Sequence, residues 1–591
     1  MSTDHTPYCL FLSEAEWHAL PDKLRDPYFA AIAATNLKAL HLLGTTHGAT
    51  MLDLPGTLGS TDEQPEFRWR VLKNRLVRAV VAWYLTHEQP HLDFALATLD
   101  FFIASGVGTT RFAHARCHRA DLKTGDEMYK VAFALDTLAP YMGAERCARL
   151  RALAAAMLEA YLAGIDEKEW WRHAEFNWGT AVHGNAGLAA LAIRPWQPAL
   201  AAEALGRARA GVQYAIDAMP PGGGWTEGIM YMATMLAHLT DFVAALHRVD
   251  GDDLGLSAHR NVQDLLTSRI YLLGGDGLPI NFSNCNETSA EWVLPHAYWW
   301  AQRCQRPDWT WFEDQHVKPW RDVHGLFHDV EAFWYRPAFP ATHQPASVRS
   351  LYLSGLDWYV WHGERTWCAL RGGCNGGNHN NRDLGHFIFG AGPDRFLIDP
   401  GYGAAAASQH NVFTLRGKDQ VDCAQAPIFR HREHPGGFYL ACDLTAAYTW
   451  CAAYCYRHVL LIDETHLLVI DDILGRAGKR NGATFHWHTR FPHELLDHGV
   501  RLQGTQAALT VRMLEPIHRI NTEQWTWRGL PITSFSWHEA WDHVHSVHPV
   551  LFSLSDEPFT YERGPDTFTL RIRGAAYELD LAEATLTVRH D

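Results

Sequence analysis

The spacing of apolar residues changes once along this chain of 591 residues, and that change constrains the fold more than any other sequence feature. Over about 13–330, apolar residues recur at three- and four-residue intervals, in 68–87, 91–105, 126–142, 144–165, 177–193, 198–219, 228–249 and 258–273, the mark of amphipathic helices. Glycine and proline runs at 106–108, 220–224 and 274–277 separate them. From about 347 the period falls to two, with β-branched and aromatic residues in 348–363, 367–372, 386–389, 439–444, 466–473, 484–488 and 567–588. Many short strands with no helices between them imply antiparallel sheets. The expected fold class is α+β multidomain: an N-terminal α/α toroid over 1–330, a linker over 331–346 in a proline-rich stretch, and a C-terminal antiparallel β-sandwich over 347–591.

Composition narrows the partners. Apolar residues make up 47% and charged residues 20% of the chain, the balance of a globular protein. A formal net charge of -15 supplies no basic footprint for nucleic acid or an anionic membrane, and no run of about 18 apolar residues is evident for a transmembrane helix. An anionic ligand would instead need a local basic patch, for which Arg371, Arg382 and Arg416 are candidates. The 11 cysteines, odd in number and scattered, fit a reducing compartment. The N-terminus has no signal-type basic and apolar regions, so a cytoplasmic location is expected. Cys451 and Cys455, four apart, read as structural.

The densest polar group is Gly376-Gly377-Asn378-His379-Asn380-Asn381-Arg382-Asp383-Leu384-Gly385-His386-Phe387, followed by a strand ending in Asp399-Pro400-Gly401 and then His410-Asn411. It gathers titratable groups at one sheet edge, where loops commonly carry function. In these residues the chain resembles the heparinase II/III-like polysaccharide lyases, oligoalginate lyases included. His379, Asp383, Gly385, Phe387, Asp399, Gly401, His410 and Asn411 match the family's second-domain pattern; Asn381 stands where a second histidine is expected, and His386 where a serine is. Upstream, Asn177-Trp178 with His183-Gly184-Asn185 is similar to the family's Asn-Trp helix. Gly224-Trp225-Thr226-Glu227-Gly228-Ile229-Met230-Tyr231 is similar to its Gly-Trp-x-Glu-Gly-x-x-Tyr segment.

The resemblance implies β-elimination on uronic-acid glycans, and a cytoplasmic address favours oligosaccharides over polymer. Such a reaction removes a carbon-bound proton beside a carboxylate, so the site must neutralise that carboxylate and stabilise the enolate-like charge. By resemblance Tyr231 is the acid that protonates the leaving oxygen, with His183 as base or neutraliser and His379 joining from the β-domain. Substrate contacts are expected from Asn177, Asn185, Trp225, Arg371, Asn381 and Arg382. Glu227, Asp383, Asp399 and His410 are expected as supports, the aspartates holding a neighbouring His or Arg by charge-assisted hydrogen bonds.

No cofactor is required by this chemistry. Some relatives hold zinc through the histidine that Asn381 replaces, and an amide is a poor zinc ligand. A structural zinc on His379, Asp399, His431 and His434 is the alternative. Three other functional classes share the same features: a uronyl C5-epimerase, which reprotonates the same carbon; a glycoside hydrolase using carboxyl groups among Asp126, Asp217 and Glu227; and a sugar-binding relative without catalysis.

Overall fold

The computed structural model describes residues 9–46, 65–105, 118–287, 293–315, 328–476, 481–541 and 544–590. Helices dominate the N-terminal half and antiparallel strands the C-terminal half, with one exchange between them. A helical unit comprises 1–219, 231–270 and 289–345, and a β unit comprises 220–230, 271–288 and 346–591.

In the helical unit the apolar spacing becomes helices at Pro65–Thr86, Gln89–Ser105, Leu122–Thr137, Ala139–Asp166, Asn177–Ile193, Pro198–Asp217, Ile229–Asp250 and Arg260–Tyr271. Where boundaries move from the expected ones, caps move them. The third helix begins at Leu122 because the Asp121 side chain accepts the backbone N–H groups of Lys123 and Thr124. Its successor starts beside Pro140, whose missing N–H costs nothing in a first turn. The expected turn at 106–108 lies outside the described residues. Helix Ile229–Asp250 is long and apolar enough to cross a membrane, contrary to the expectation, but 83% of its apolar window is buried inside the protein, which accounts for its composition.

The linker expected over 331–346 is partly a helix, His328–Tyr335. Val330 and Phe333 on it are buried, and the Phe333 ring lies 5.0 Å from Phe29. A short helix among prolines leaves little periodic signal, so its last residues read as linker.

The β unit is antiparallel throughout its named strand pairs. Its eight-stranded sheet runs in the order His493–Leu496, Gly499–Gln503, Ala508–Met513, His545–Ser553, His466–Gly475, Ala452–Ile462, Gly437–Asp443, Ile428–His434. Both faces are covered, and alternation along single strands shows it. Cys455, Val459, Leu461, Leu467 and Val469 enter one core, shared with a five-stranded sheet (350–397) and a four-stranded sheet that includes Asn481–Thr489. Leu460, Ile462, Leu468 and Ile470 enter a second core against the C-terminal four-stranded sheet, 559–590. Period-two strands buried on both faces lose the polar half of the usual alternation.

Two stretches from the first half of the sequence complete the β unit. The turn after Tyr271 is bound by Arg395, whose guanidinium donates to both oxygens of Asp276 at 2.7 and 3.0 Å and to Asn281 Oδ1 at 3.2 Å. His362 Nε2 reaches the Tyr271 carbonyl at 2.9 Å.

Within the first core sits Arg457, fully buried. It faces Asp471 on the next strand and donates to both its carboxylate oxygens, at 2.7 and 2.8 Å. Its third nitrogen donates to the carbonyls of Gly385 at 2.7 Å and Asn411 at 2.9 Å. Replacing Arg457 with Leu strands the Asp471 charge and two carbonyls, and should cost about 3–5 kcal/mol. Chemical denaturation read by tryptophan fluorescence measures this loss.

Candidate functional site

The β unit assembles its polar cluster from three distant segments. Segment 224–228 turns through two glycines with positive φ, Gly224 at +76° and Gly228 at +89°. A Cβ at Gly228 would lie 2.6 Å from the Phe282 carbonyl oxygen, so no other residue fits there. The turn buries Glu227 completely. Its Oε2 accepts from Trp225 Nε1 at 3.1 Å and its Oε1 from Asn378 Nδ2 at 2.7 Å. Trp225, 1% exposed, packs in the turn rather than facing a ligand. With both oxygens engaged and no exposed surface, Glu227 cannot serve as the solvent-facing acid of a hydrolytic pair. Asn380 donates to the Thr226 carbonyl at 2.8 Å and ties the turn to the 376–381 loop.

His379 lies on that loop with a left-handed φ of +58°, its side chain about a quarter exposed and Nε2 3.8 Å from Glu227 Oε1. Its tautomer follows from its neighbour. Asn284 Oδ1 accepts the Gly403 backbone N–H at 3.0 Å, which fixes the amide orientation, so Nδ2 is the atom 3.2 Å from His379 Nδ1. Nδ1 therefore accepts, and the ring proton resides on Nε2. Partial burial holds the His379 pKa below its ordinary value, so the ring is a neutral N–H donor. Sequence reasoning missed Asn284, whose partner is 95 residues away. Asn381 beside it is buried, and its Nδ2 has no hydrogen-bond partner among the described residues.

The two arginines do not offer themselves to a ligand. Arg371 is buried, pairs with Asp383, and donates to Asn380 Oδ1 at 3.0 Å and the Cys374 carbonyl at 3.2 Å. Its expected substrate contact is thus corrected: it organises the loop from beneath. Arg382 is partly exposed and held by Asp422 at 2.8 and 3.1 Å, with Asp419 3.5 Å away.

Behind the loop, His386, Asp399 and His410 form a fully buried cluster. Asp399 Oδ1 accepts the Gly401 N–H at 2.7 Å. His410 faces two acceptors, Asp399 Oδ2 at 3.1 Å and the Ala404 carbonyl at 2.9 Å, so it donates from both nitrogens as an imidazolium. Burial opposes that charge, but the Asp399 carboxylate outweighs it and raises the His410 pKa. Burial likewise opposes ionisation of Asp399, and the two histidines outweigh it, holding the carboxyl well below its usual range. His386 Nδ1 accepts the Asn411 backbone N–H at 2.9 Å, which places its proton on Nε2, close to Asp399 Oδ2 at 3.2 Å though off line for a hydrogen bond.

These roles test whether zinc fits. A protonated Nε2 has no lone pair to give, so His386 is no ligand while the Asn411 N–H occupies its other nitrogen. That leaves Asp399 and His410, short of the three or four protein ligands of a zinc site. The alternative set also fails. Asp399 groups with His386 and His410 and not with His379, His431 or His434. His431 packs on Tyr359 at 4.8 Å, and His434 Nδ1 meets the Pro435 carbonyl at 3.1 Å.

In the helical unit, Tyr231 is the third residue of helix Ile229–Asp250 and partly exposed. Asn177 opens helix Asn177–Ile193 and is buried, as is Asn185, whose Nδ2 lies 3.3 Å from His238 Nδ1. His183 is 2% exposed. Its Nε2 donates to the Arg172 carbonyl at 3.2 Å and its Nδ1 accepts from the Tyr161 hydroxyl at 2.7 Å. A Cβ at Gly211 would fall 2.3 Å from its ring. Burial depresses its pKa to about 4. Both nitrogens are engaged, so the expectation of a base at His183 is corrected: it is a helix-packing residue. A second buried group places His296 between Asp241 at 3.2 Å and Glu331 at 3.3 Å, with the Tyr335 hydroxyl donating to Asp241 and the Tyr129 hydroxyl to Glu331. No sequence motif marked it.

No protein-family model matches this sequence, and no curated protein matches it. Its fold is that of solved heparin-family lyases. Heparan sulfate lyase HepC from Pedobacter heparinus, studied as a mutant, matches with a TM-score of 0.64 at 13% identity, over 94% of this chain and 89% of that one. A heparinase III matches at 0.66 and 10% identity, over 98% and 93%, and a second heparinase III at 0.65 and 11%, over 98% and 92%.

Two outcomes follow from the His410 cluster. Dialysis against a chelator and titration with zinc should both leave the thermal midpoint unchanged; a stoichiometric stabilising zinc would contradict the assigned tautomers. The His410 pKa is raised in the folded state, so its contribution is full below the ordinary value of 6.5 and is lost as pH rises through the raised value. Asp399, depressed, contributes above its ordinary 3.8 and loses that contribution as pH falls. The stability lost on His410→Gln should therefore be largest between 3.8 and 6.5 and shrink in alkali, as paired denaturation curves at pH 5.5 and 9 would show.

Proposed function

We propose that this protein is a polysaccharide lyase acting on uronic-acid glycans by β-elimination. The observation that carries the reading is the state of His379: a neutral, partly exposed imidazole whose Nδ1 accepts from Asn284 and whose proton therefore lies on Nε2. An N–H donor of this kind suits the uronate carboxylate, whose charge must be neutralised before the neighbouring carbon releases a proton. Asn381 supports the same task, since its buried Nδ2 has no acceptor among the described residues and leaving such a donor unpaired costs about 1–3 kcal/mol.

Tyr231 takes the acid role that the motif assigns, giving its hydroxyl proton to the leaving oxygen. Heparan sulfate lyase and heparinase III among proteins of this fold support the substrate class. The toroid-and-sandwich description and action on oligosaccharides, alginate included, belong to this reading. The hydrolytic alternative loses ground because Glu227 is sealed by Trp225 and Asn378.

Incubation with alginate, glucuronan, hyaluronan and heparan oligosaccharides, followed by the ultraviolet absorbance of the unsaturated product, tests the reaction. Tyr231→Phe should lose about a hundredfold or more in turnover, while circular dichroism and the thermal midpoint stay unchanged. Wild-type turnover in this variant would remove Tyr231 from the mechanism, and C5 inversion without an absorbance rise would make the protein an epimerase.

A further inference from the structure

The strip of the β unit beside His379 carries aromatic rings and a cation that the chemistry above does not use. Asn284 links the two: it contacts His379 Nδ1 with its amide nitrogen and holds Gly403 with its oxygen. Tyr402, next to Gly403, is partly exposed, and its carbonyl accepts the Trp527 indole N–H at 3.2 Å. Trp527 and Trp525 pack edge to face with centroids 5.8 Å apart on the outer strand Ile520–Trp527, and both keep part of their surface in solvent. At the tip, Arg528 lays its guanidinium 5.1 Å from the Tyr402 ring centre. We propose that Tyr402, Trp527 and Arg528 form a subsite for a negatively charged sugar unit of the glycan, beyond the one whose carboxylate His379 meets. The inference rests on the lyase reading for its substrate and on this geometry for its place.

Charge decides the ligand class. The cluster's other guanidiniums are committed: Arg371 to Asp383, Arg382 to Asp422, Arg395 to Asp276 and Arg457 to Asp471. Arg528 is exposed and has no ion pair with a carboxylate among the described residues. In a chain of net charge -15 it presents a planar fork suited to a carboxylate or sulfate. The rings beside it offer the flat apolar surface on which a sugar face rests while Arg528 takes the anionic group.

The hairpin itself supplies a clean test. Arg528 and Gly529 both have positive φ, +50° and +81°, and join Trp527 to its partner Leu530, the two-residue turn in which Asn-Gly is the favoured pair. Arg528→Asn therefore keeps the fold, with a thermal midpoint equal to or above wild type. Affinity is measured by calorimetry with alginate, glucuronan, hyaluronan and heparan tetrasaccharides, and KM and kcat with whichever is cleaved. Arg528→Asn and Trp527→Ala should each weaken binding by about fivefold, the worth of one exposed cation or stacking contact, with the loss in KM and a change in kcat of less than twofold. Cleavage with unchanged KM and affinity in both variants overturns the subsite and leaves the lyase reading standing. Binding that the variants weaken, with no cleavage of any tetrasaccharide, sinks the lyase reading and keeps the subsite. No binding of any of the four overturns both.

Discussion

The β unit depends on one buried guanidinium. Arg457 has no water to lean on, so each of its donors needs an acceptor, and it finds them in Asp471 across the sheet and in the carbonyls of Gly385 and Asn411. Those carbonyls belong to the residues beside His386 and His410. One side chain in the central sheet thereby fixes the spacing of two segments 26 positions apart, and the aromatic rings of Phe413, Phe387 and Trp487 around it keep the dielectric low enough for those bonds to matter. Asn411 repeats the device, donating to the Phe387 and Ile398 carbonyls while accepting the His488 N–H.

The four histidines of the expected and observed clusters show how far residue identity falls short of chemistry. His183, His379, His386 and His410 are alike in sequence, yet each has a different proton arrangement, set by what faces its nitrogens. A carbonyl and a tyrosine hydroxyl close His183; an oriented amide sets the His379 proton on Nε2; a backbone N–H removes the lone pair that His386 would need for metal; two acceptors charge His410. Of the four, only His379 keeps part of its side chain exposed.

The helices at 177–193 and 229–250 and the change of period near 347 were legible because they follow from local spacing, and the 376–387 cluster stood out by composition. What stayed hidden was long-range. The Asn284 contact and the grouping of Asp241, His296 and Glu331 join residues tens of positions apart with no local signature, and the burial of Arg371 under its own loop depends on packing rather than on spacing. The strand at 466–475 was legible as 466–473, while its neighbour 452–462 was not read, because burial on both faces erases the alternation that marks a half-exposed strand. Helix 328–335 stayed hidden for a related reason: Val330 and Phe333 anchor a helix too short to show a period.

Segments 220–230 and 271–288 pack with strands that the ribosome makes later. During synthesis they must wait for those strands while about a hundred further residues emerge, so the β unit closes only through contacts of high sequence separation. A cut near residue 346 would free a chain end without freeing a unit. The strands alone would lack the Trp225–Glu227 turn and the Asp276 anchor of Arg395, and the helices alone would trail two orphaned loops. The two halves of this chain are separable in architecture and inseparable in manufacture.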